Sequence, residues 1–287
     1  MTVAWRGVGA VAVCFGLVAA GCSNDDGAAA DASFLEGRDM VTVYEQALPE
    51  DFDPDAFVTN LGKVFGVGDE ARLSRYEGED DISVELGGGL NNGTGSTAVN
   101  LQTLTWGFSS ATLSLDTDCR RCEPSNVTNE DAIERAKELF AATGSLIGDY
   151  SWTADRAPIV AGSPISTLVV GTRLLLGQPT GDEWLMEFGD GDKVLRANGS
   201  AWQPTPIADV GLLTPDEAFA QDTAQTATGS PEISGAATLI YSTFFDRQAV
   251  RGFLVPYYSI PITVNNSNDL GLTTSVLAIR NTDFPRS

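Results

Sequence analysis

Two stretches of this chain begin in the same way. Thr128-Asn129-Glu130-Asp131-Ala132 and Thr214-Pro215-Asp216-Glu217-Ala218 both read Thr-x-acid-acid-Ala, about 86 residues apart, a spacing that marks an internal repeat. A threonine with an acid three residues on is a helix start: the hydroxyl accepts from a free N–H of the first turn, and the carboxylate can bond back to the cap. In the first stretch Ala132, Ile133, Ala136, Leu139 and Phe140 line one helical face and Gly144 is a natural stop. The second helix is shorter and is expected to end near Thr223, with Asp216 and Glu217 placed well against the positive N-terminus. β-type runs follow each: residues 165–176, 183–188 and 193–197 in one case, 237–245, 252–258 and 274–279 in the other. Gly189-Asp190-Gly191-Asp192 reads as a hairpin turn, and so does Asn198-Gly199. An earlier helix over 54–65 is followed by 82–86, a Gly/Asn-rich loop at 87–95, and strands over 98–108 and 111–115. The expectation is an α+β fold of tandem small modules at 38–118, 119–205 and 206–287, each an antiparallel β-meander with one helix packed on a face.

The N-terminus is of a different kind. Arg6, an apolar run over 7–20 and the small residues Ala19-Ala20-Gly21 supply, in order, the positive start, short core and cleavage site of a secretory signal. The run is too short for a membrane span, which takes roughly 20 residues. Leu17-Val18-Ala19-Ala20-Gly21-Cys22 resembles the lipobox of bacterial lipoproteins. That resemblance implies removal of residues 1–21, a diacylglycerol thioether on Cys22, and often a third acyl chain on its new amino group. Two or more chains, at about 0.8 kcal/mol per buried CH₂, hold a protein stably on a membrane. Residues 22–37, rich in Ala, Asp, Gly and Ser, are then a lipidated flexible tether with a reach of roughly 20 Å. The expected location is the outer, extracytoplasmic face of the cell membrane.

Seventeen basic residues against 39 acidic ones leave a formal charge of −22. Nucleic acid and anionic lipid surfaces are bound through Lys and Arg, so neither is an expected partner, and membrane proximity has to come from the lipid. Cys119 and Cys122 form a C-x₂-C pair outside the cytoplasm, where a disulfide is the default. A zinc site would need two further ligands, and this chain has no histidine. A redox dithiol is kept open by Arg120 and Arg121, which would lower a thiol pKa, although such cysteines usually sit in the first turn of a helix.

The helix-plus-strand plan, with the segment Phe188-Gly-Asp-Gly-Asp-Lys-Val-Leu-Arg-Ala-Asn-Gly199, resembles the small modules of the PepSY and YycH/YycI type. Phe253-Leu-Val-Pro-Tyr-Tyr-Ser259 is similar to a strand near the end of many actinobacterial lipoproteins of uncharacterised function. The resemblance implies envelope binding, protease inhibition or sensor-kinase regulation, and it brings no catalytic residue with it.

Zero histidines remove Ser-His-Asp and Cys-His sites, imidazole metal centres and the commonest general base. None of Lys63, Lys137 and Lys193 has a serine three residues before it, as a Ser-x-x-Lys site requires. Two carboxylates could still cleave a glycoside, but spacing cannot choose a pair among 39 acids. Asp51, Asp53 and Asp55 alternate as a calcium loop does, yet Ala56 and Gly62 stand where that loop needs Gly and Glu, so helix capping explains them better. Asp190 and Asp192 are turn residues first, with calcium as the alternative. Trp184, Trp202, Tyr257 and Tyr258 are core candidates, and Tyr257-Tyr258 is also a candidate partner or ligand surface, because adjacent strand residues point to opposite faces. The function expected is a non-enzymatic, membrane-anchored lipoprotein that binds an envelope or membrane protein as regulator or accessory subunit, without cofactor or metal. The alternatives are a lipoprotein holding an apolar or glycan ligand and a carboxylate-based glycan hydrolase.

Overall fold

The computed structural model describes residues 39–78, 82–87, 95–112, 122–146, 148–158, 164–223, 232–246, 251–263 and 272–280. In chain order these form β1 (Met40–Ala47), α1 (Pro54–Phe65), β2 (Arg72–Glu77), β3 (Ile82–Gly87), β4 (Ser96–Asn100) and β5 (Thr105–Ser109). There follow α2 (Asn129–Ala142), β6 (Asp149–Pro158), β7 (Ile165–Leu175), β8 (Gln178–Gly189), β9 (Lys193–Ser200) and β10 (Gln203–Gly211). The last described elements are α3 (Pro215–Thr223), β11 (Glu232–Ile233), β12 (Thr238–Asp246), β13 (Arg251–Thr263) and β14 (Leu272–Leu277).

The helices begin where local chemistry satisfies their free N–H groups. The Asp53 carboxylate accepts from the N–H of Asp55 at 3.0 Å and of Ala56 at 3.2 Å, Pro54 opens α1, and Gly66 closes it at φ 71°. Thr128 accepts from the Asp131 N–H at 3.1 Å. At α3 the bonding is reciprocal: Glu217 N–H donates to the Thr214 hydroxyl at 3.3 Å, and the Glu217 carboxylate accepts from the Thr214 N–H at 2.9 Å. That backbone bond, followed by the hydroxyl bond, holds the Glu217 carboxyl below its usual range.

The architecture is α+β and rests on antiparallel pairing. Strands β2 to β9 form one eight-stranded antiparallel array in the order β2-β3-β4-β5-β9-β8-β7-β6. A second array runs β10-β1-β13-β12, with β14 and β11 also paired to β13. A single parallel pair, Tyr241 with Thr180, joins β12 to β8 and makes one 14-stranded sheet. Helix α1 lies on β3 and β4, α2 on β6 and β7, and α3 on β13 and β14. The three segments therefore share one sheet through the β5–β9, β1–β13 and β8–β12 contacts, and the expected boundary between residues 205 and 206 falls inside β10.

The main core lies between the eight-stranded array and its two helices. Val58 and Leu61 from α1, and Ala132, Ala136 and Phe140 from α2, meet Trp106, Trp184, Met186 and Phe188. Alternation along the second half of β8 aims Trp184, Met186 and Phe188 at this core. The Trp184 ring lies 5.0 Å from Phe140 and 5.7 Å from Trp106, both edge-on, the arrangement an aromatic quadrupole favours. A second core, of Val43, Tyr44, Trp202, Tyr241, Phe253 and Leu254, fills the region around β1, β12 and β13.

Three local expectations change. Asn198-Gly199 is not a turn: both residues lie within β9, and a Cβ on Gly199 would come within 2.8 Å of the Trp184 ring, so the glycine is there to admit the indole. The single strand expected over 98–108 is two, β4 and β5, because the Asn100 side chain accepts from the N–H groups of Gln102 and Thr103 and turns the chain. In the strand expected over 111–115, residues 111 and 112 are helical and the rest lie outside the described residues. The turn at 189–192 forms as expected, with Asp190, Gly191 and Asp192 all at positive φ.

Leu176 and Gly177 make the two-residue turn between β7 and β8, both at positive φ, 54° and 77°. Such a turn favours asparagine in its first place, and a leucine with φ > 0 carries strain. Leu176 is also exposed. Leu176→Asn is expected to raise the unfolding midpoint in denaturant by an amount equivalent to about 1 kcal/mol; an unchanged or lower midpoint would show that the leucine's contacts outweigh the turn strain.

Candidate functional site

Where β8 runs past the end of its β9 pairing it meets β12 at one residue pair only. A cleft of about 400 Å³ opens there, lined by Pro179, Thr180 and Gly181 of β8, Ile240, Tyr241, Ser242 and Thr243 of β12, and Ser275 of β14. Register extends the site to β13. Tyr257 stands directly opposite Ile240 on one side and Leu277 on the other, while Ser259 stands opposite Thr238 and Ser275. Paired residues share a face and faces alternate along a strand, so Ile240, Ser242, Tyr257 and Ser275 lie on the same face of the sheet.

Tyr258 points the other way, into the α3 side, packed with Ala218, Leu239 and Ile260, and its hydroxyl donates to the Leu213 carbonyl at 2.9 Å. The two tyrosines thus separate as strand alternation requires: Tyr258 is buried on the α3 side, and Tyr257 is half-buried on the face that carries Ile240 and Ser242, packed against the second core. Burial raises both phenols above their ordinary pKa.

Beneath the cleft lies a polar cluster that no local pattern announces. The Arg173 Nε is 2.8 Å from the Asp182 Oδ2, and the two side chains are 1% and 8% exposed. Ser200 ties the cluster together: its hydroxyl donates to Asp182 at 3.0 Å and accepts from Arg173 Nη2 at 3.1 Å and Trp184 Nε1 at 3.2 Å. Those three bonds use the whole bonding capacity of a serine hydroxyl. The guanidinium also lies 4.5 Å from the Trp202 ring centre. Burial pushes the Asp182 carboxyl up, against the downward pull of Arg173 and then of the Ser200 hydroxyl. Thr180 connects cluster and cleft, donating to the Arg173 carbonyl at 3.1 Å and accepting from the Asp182 N–H at 3.2 Å. Every residue here except Arg173 stands on β8, β9 or just beyond it, so the cluster is built by bringing β7 and β9 to either side of β8.

The other sequence candidates have structural partners. Trp184 and Trp202 are buried. Asp53 caps α1 and Asp55 pairs with Arg75 at 2.8 Å. Asp190 pairs with Lys193 at 3.0 Å, the bond that chiefly lowers its pKa. The Asp192 carboxylate accepts from the Asn126 N–H at 2.6 Å, and its carbonyl accepts from Arg135 at 2.8 Å, which fastens the β8–β9 turn to the approach of α2. Among the described residues no group of three or more Cys, Asp or Glu is placed to hold a metal ion, and no helix is long and apolar enough to cross a membrane. Cys122 is buried and disulfide-bonded, and the sulfur it bonds lies outside the described residues. Cys22 and Cys119 lie outside them too.

One further surface is set by topology. Strand β2 ends the eight-stranded array and is exposed at all six positions. Leu73 is 46% exposed and Tyr76 60%, and Ile82, opposite Glu77 on β3, is 39% exposed.

These features define an α+β protein built on a large, mainly antiparallel sheet with helices laid on it. Among solved structures the chain is similar to an uncharacterised protein from Eubacterium rectale ATCC 33656, with a TM-score of 0.51 and 11% identity over 86% of each chain. At that identity the likeness shows the fold alone. No family model matches the chain, and no curated protein does.

Proposed function

We propose that this chain is a non-enzymatic lipoprotein of the outer face of the cell membrane that docks a partner protein, as envelope regulator or accessory subunit. The anchor is Cys22, on the strength of the lipobox resemblance, and Cys119 is the disulfide partner of Cys122. The chain is read as three helix-plus-meander modules merged into one sheet; the placement of α1, α2 and α3, each on strands that follow it in the chain, supports this reading.

The observation that carries the docking reading is the β2 edge. An edge strand presents unpaired N–H and C=O groups to which an extended segment of another protein can add, with exposed side chains giving selectivity. Here three of the seven exposed large hydrophobic residues among those described, Leu73, Tyr76 and Ile82, stand on β2 or at the start of β3. Arg72 and Glu77 put charge at both ends of the edge, which opposes unselective sheet-to-sheet pairing.

The test is in-cell photo-crosslinking from position 76, with position 207 on the exposed side of β10 as a comparison site and Cys22→Ser as the unanchored form. One dominant adduct from position 76, absent from position 207 and lost in Cys22→Ser, is expected. No adduct from position 76, or the same adducts from both sites, would overturn docking on β2; membrane retention of a processed Cys22→Ser protein would overturn the anchor.

A further inference from the structure

We infer that the cleft between β8 and β12 is a binding site for an uncharged glycan fragment, a ligand role independent of docking on β2. Its volume of about 400 Å³ lies in the range of small-ligand sites, which runs from roughly 300 to 1,000 Å³.

The lining decides the ligand class. Among the described residues eight line the cleft, and none of these is an acid or a base, although the chain carries 39 acids. None of these eight would neutralise a phosphate or a carboxylate, and none would pair with an ammonium group. The general negative charge further disfavours anionic ligands. What the cleft offers is hydroxyls beside apolar surface. Thr180 and Thr243 are already engaged, Thr180 with the Arg173 carbonyl and Thr243 with the Gln46 amide at 3.2 Å. Tyr241 donates to the Thr42 carbonyl at 3.0 Å. The Ser242 and Ser275 hydroxyls, by contrast, have no hydrogen-bond partner among the described residues, and neither does the half-buried Tyr257 hydroxyl on the same face. Ile240, Pro179 and the Tyr241 ring supply the apolar part, and Tyr257, the register partner of Ile240, stands beside the lining on the neighbouring strand, packed in part against the second core.

A sugar ring matches that set: apolar C–H groups on its faces suit an aromatic ring and an isoleucine, and hydroxyls around its rim both donate and accept, as serine and tyrosine hydroxyls do. A lipid chain would leave the serine hydroxyls without partners, which costs free energy in a buried contact.

Gly181 gives a clean way to test this. A Cβ there would meet nothing nearer than the Thr243 backbone nitrogen at 3.8 Å, and the residue is exposed, so Gly181→Val narrows the cleft without a clash in the core. The full chain in detergent is examined by saturation-transfer NMR with neutral disaccharides (cellobiose, maltose and N,N′-diacetylchitobiose), a glucuronate-containing disaccharide, an uncharged dipeptide and a short-chain diacylglycerol. At least one neutral disaccharide is expected to bind, with affinity reduced about tenfold or more in Gly181→Val and several-fold in Tyr257→Ala, where tenfold corresponds to about 1.4 kcal/mol. Thermal unfolding of each variant checks that it is folded. The inference is overturned if no neutral disaccharide binds, if binding persists unchanged in folded Gly181→Val, or if the dipeptide or the diacylglycerol binds in their place. None of these outcomes depends on whether position 76 crosslinks to a partner.

Discussion

Asp182→Ala is expected to lower the free energy of unfolding by about 3–5 kcal/mol, the usual cost of removing one member of a buried ion pair. The loss comes less from the missing attraction than from what remains. Arg173 is 1% exposed, and with Asp182 gone it is left a buried guanidinium faced, among the described residues, by the Ser200 hydroxyl, the Trp202 carbonyl and the Trp202 and Tyr150 rings, none of them an anion. Equilibrium denaturation measures the effect, and a double-mutant cycle assigns it. Arg173→Met combined with Asp182→Leu is expected to recover most of the loss, because desolvating two charges is itself costly and apolar side chains of similar size escape it. A double variant as unstable as Asp182→Ala would show that the ion pair is worth more than its desolvation. The raised Asp182 pKa has a consequence of definite sign. Its folded carboxyl binds protons more readily than the unfolded one, so this group's contribution to stability falls as pH rises from its ordinary carboxylate value toward the raised value.

Trp184→Ala is expected to cost about 3–5 kcal/mol or more and to weaken the near-ultraviolet circular dichroism of the remaining aromatics. Trp184 has no exposed surface. Its ring touches Trp106, Phe140 and Tyr150, its N–H donates to Ser200, and its face covers the bare backbone of Gly199. No neighbour can fill the space, since the surrounding rings are held by one another. Trp184→Phe separates the parts, keeping an aromatic ring and losing the bond to Ser200, and is expected to fall well short of the alanine loss. Equal losses for the two variants would place the stabilisation in the Ser200 bond. Gly199→Ala in the wild-type background should itself destabilise by roughly 1–3 kcal/mol through overpacking against the same ring.

The legible parts of this chain are those governed by neighbours in sequence. Helix α1 starts at Pro54 and stops at Gly66 because Asp53, Pro54 and Gly66 act over three or four residues. The α2 and α3 starts follow in the same way from Thr128 and Thr214, and the 189–192 turn from residues that adopt positive φ. Strands with apolar alternation, such as β7, β8 and β12, were also visible. Strand β2 was not, because a strand exposed at all six positions has no buried face to write into its sequence; β10, an edge strand carrying Pro204 and Pro206, has little more. The Asn198-Gly199 reading failed for a related reason: a glycine that bends a chain and a glycine that admits an indole from another strand look alike in one dimension.

The candidate site belongs almost wholly to tertiary structure. Sequence alone separated Tyr257 from Tyr258 by strand alternation, and that much is a property of adjacent residues. Which tyrosine faces α3 and which the second core was decided by the pairing of β13 with β12 and β14, contacts that no local pattern encodes. Arg173, Asp182 and Ser200 read as three ordinary surface residues until β7, β8 and β9 align and bury them together. The cleft exists because β8 and β12, some sixty residues apart, meet at one pair and then part. Caps, turns and periodicity act over a few bonds and are fixed by the order of residues; burial, ion pairing and concavity depend on which distant strands meet, and only the folded chain sets that.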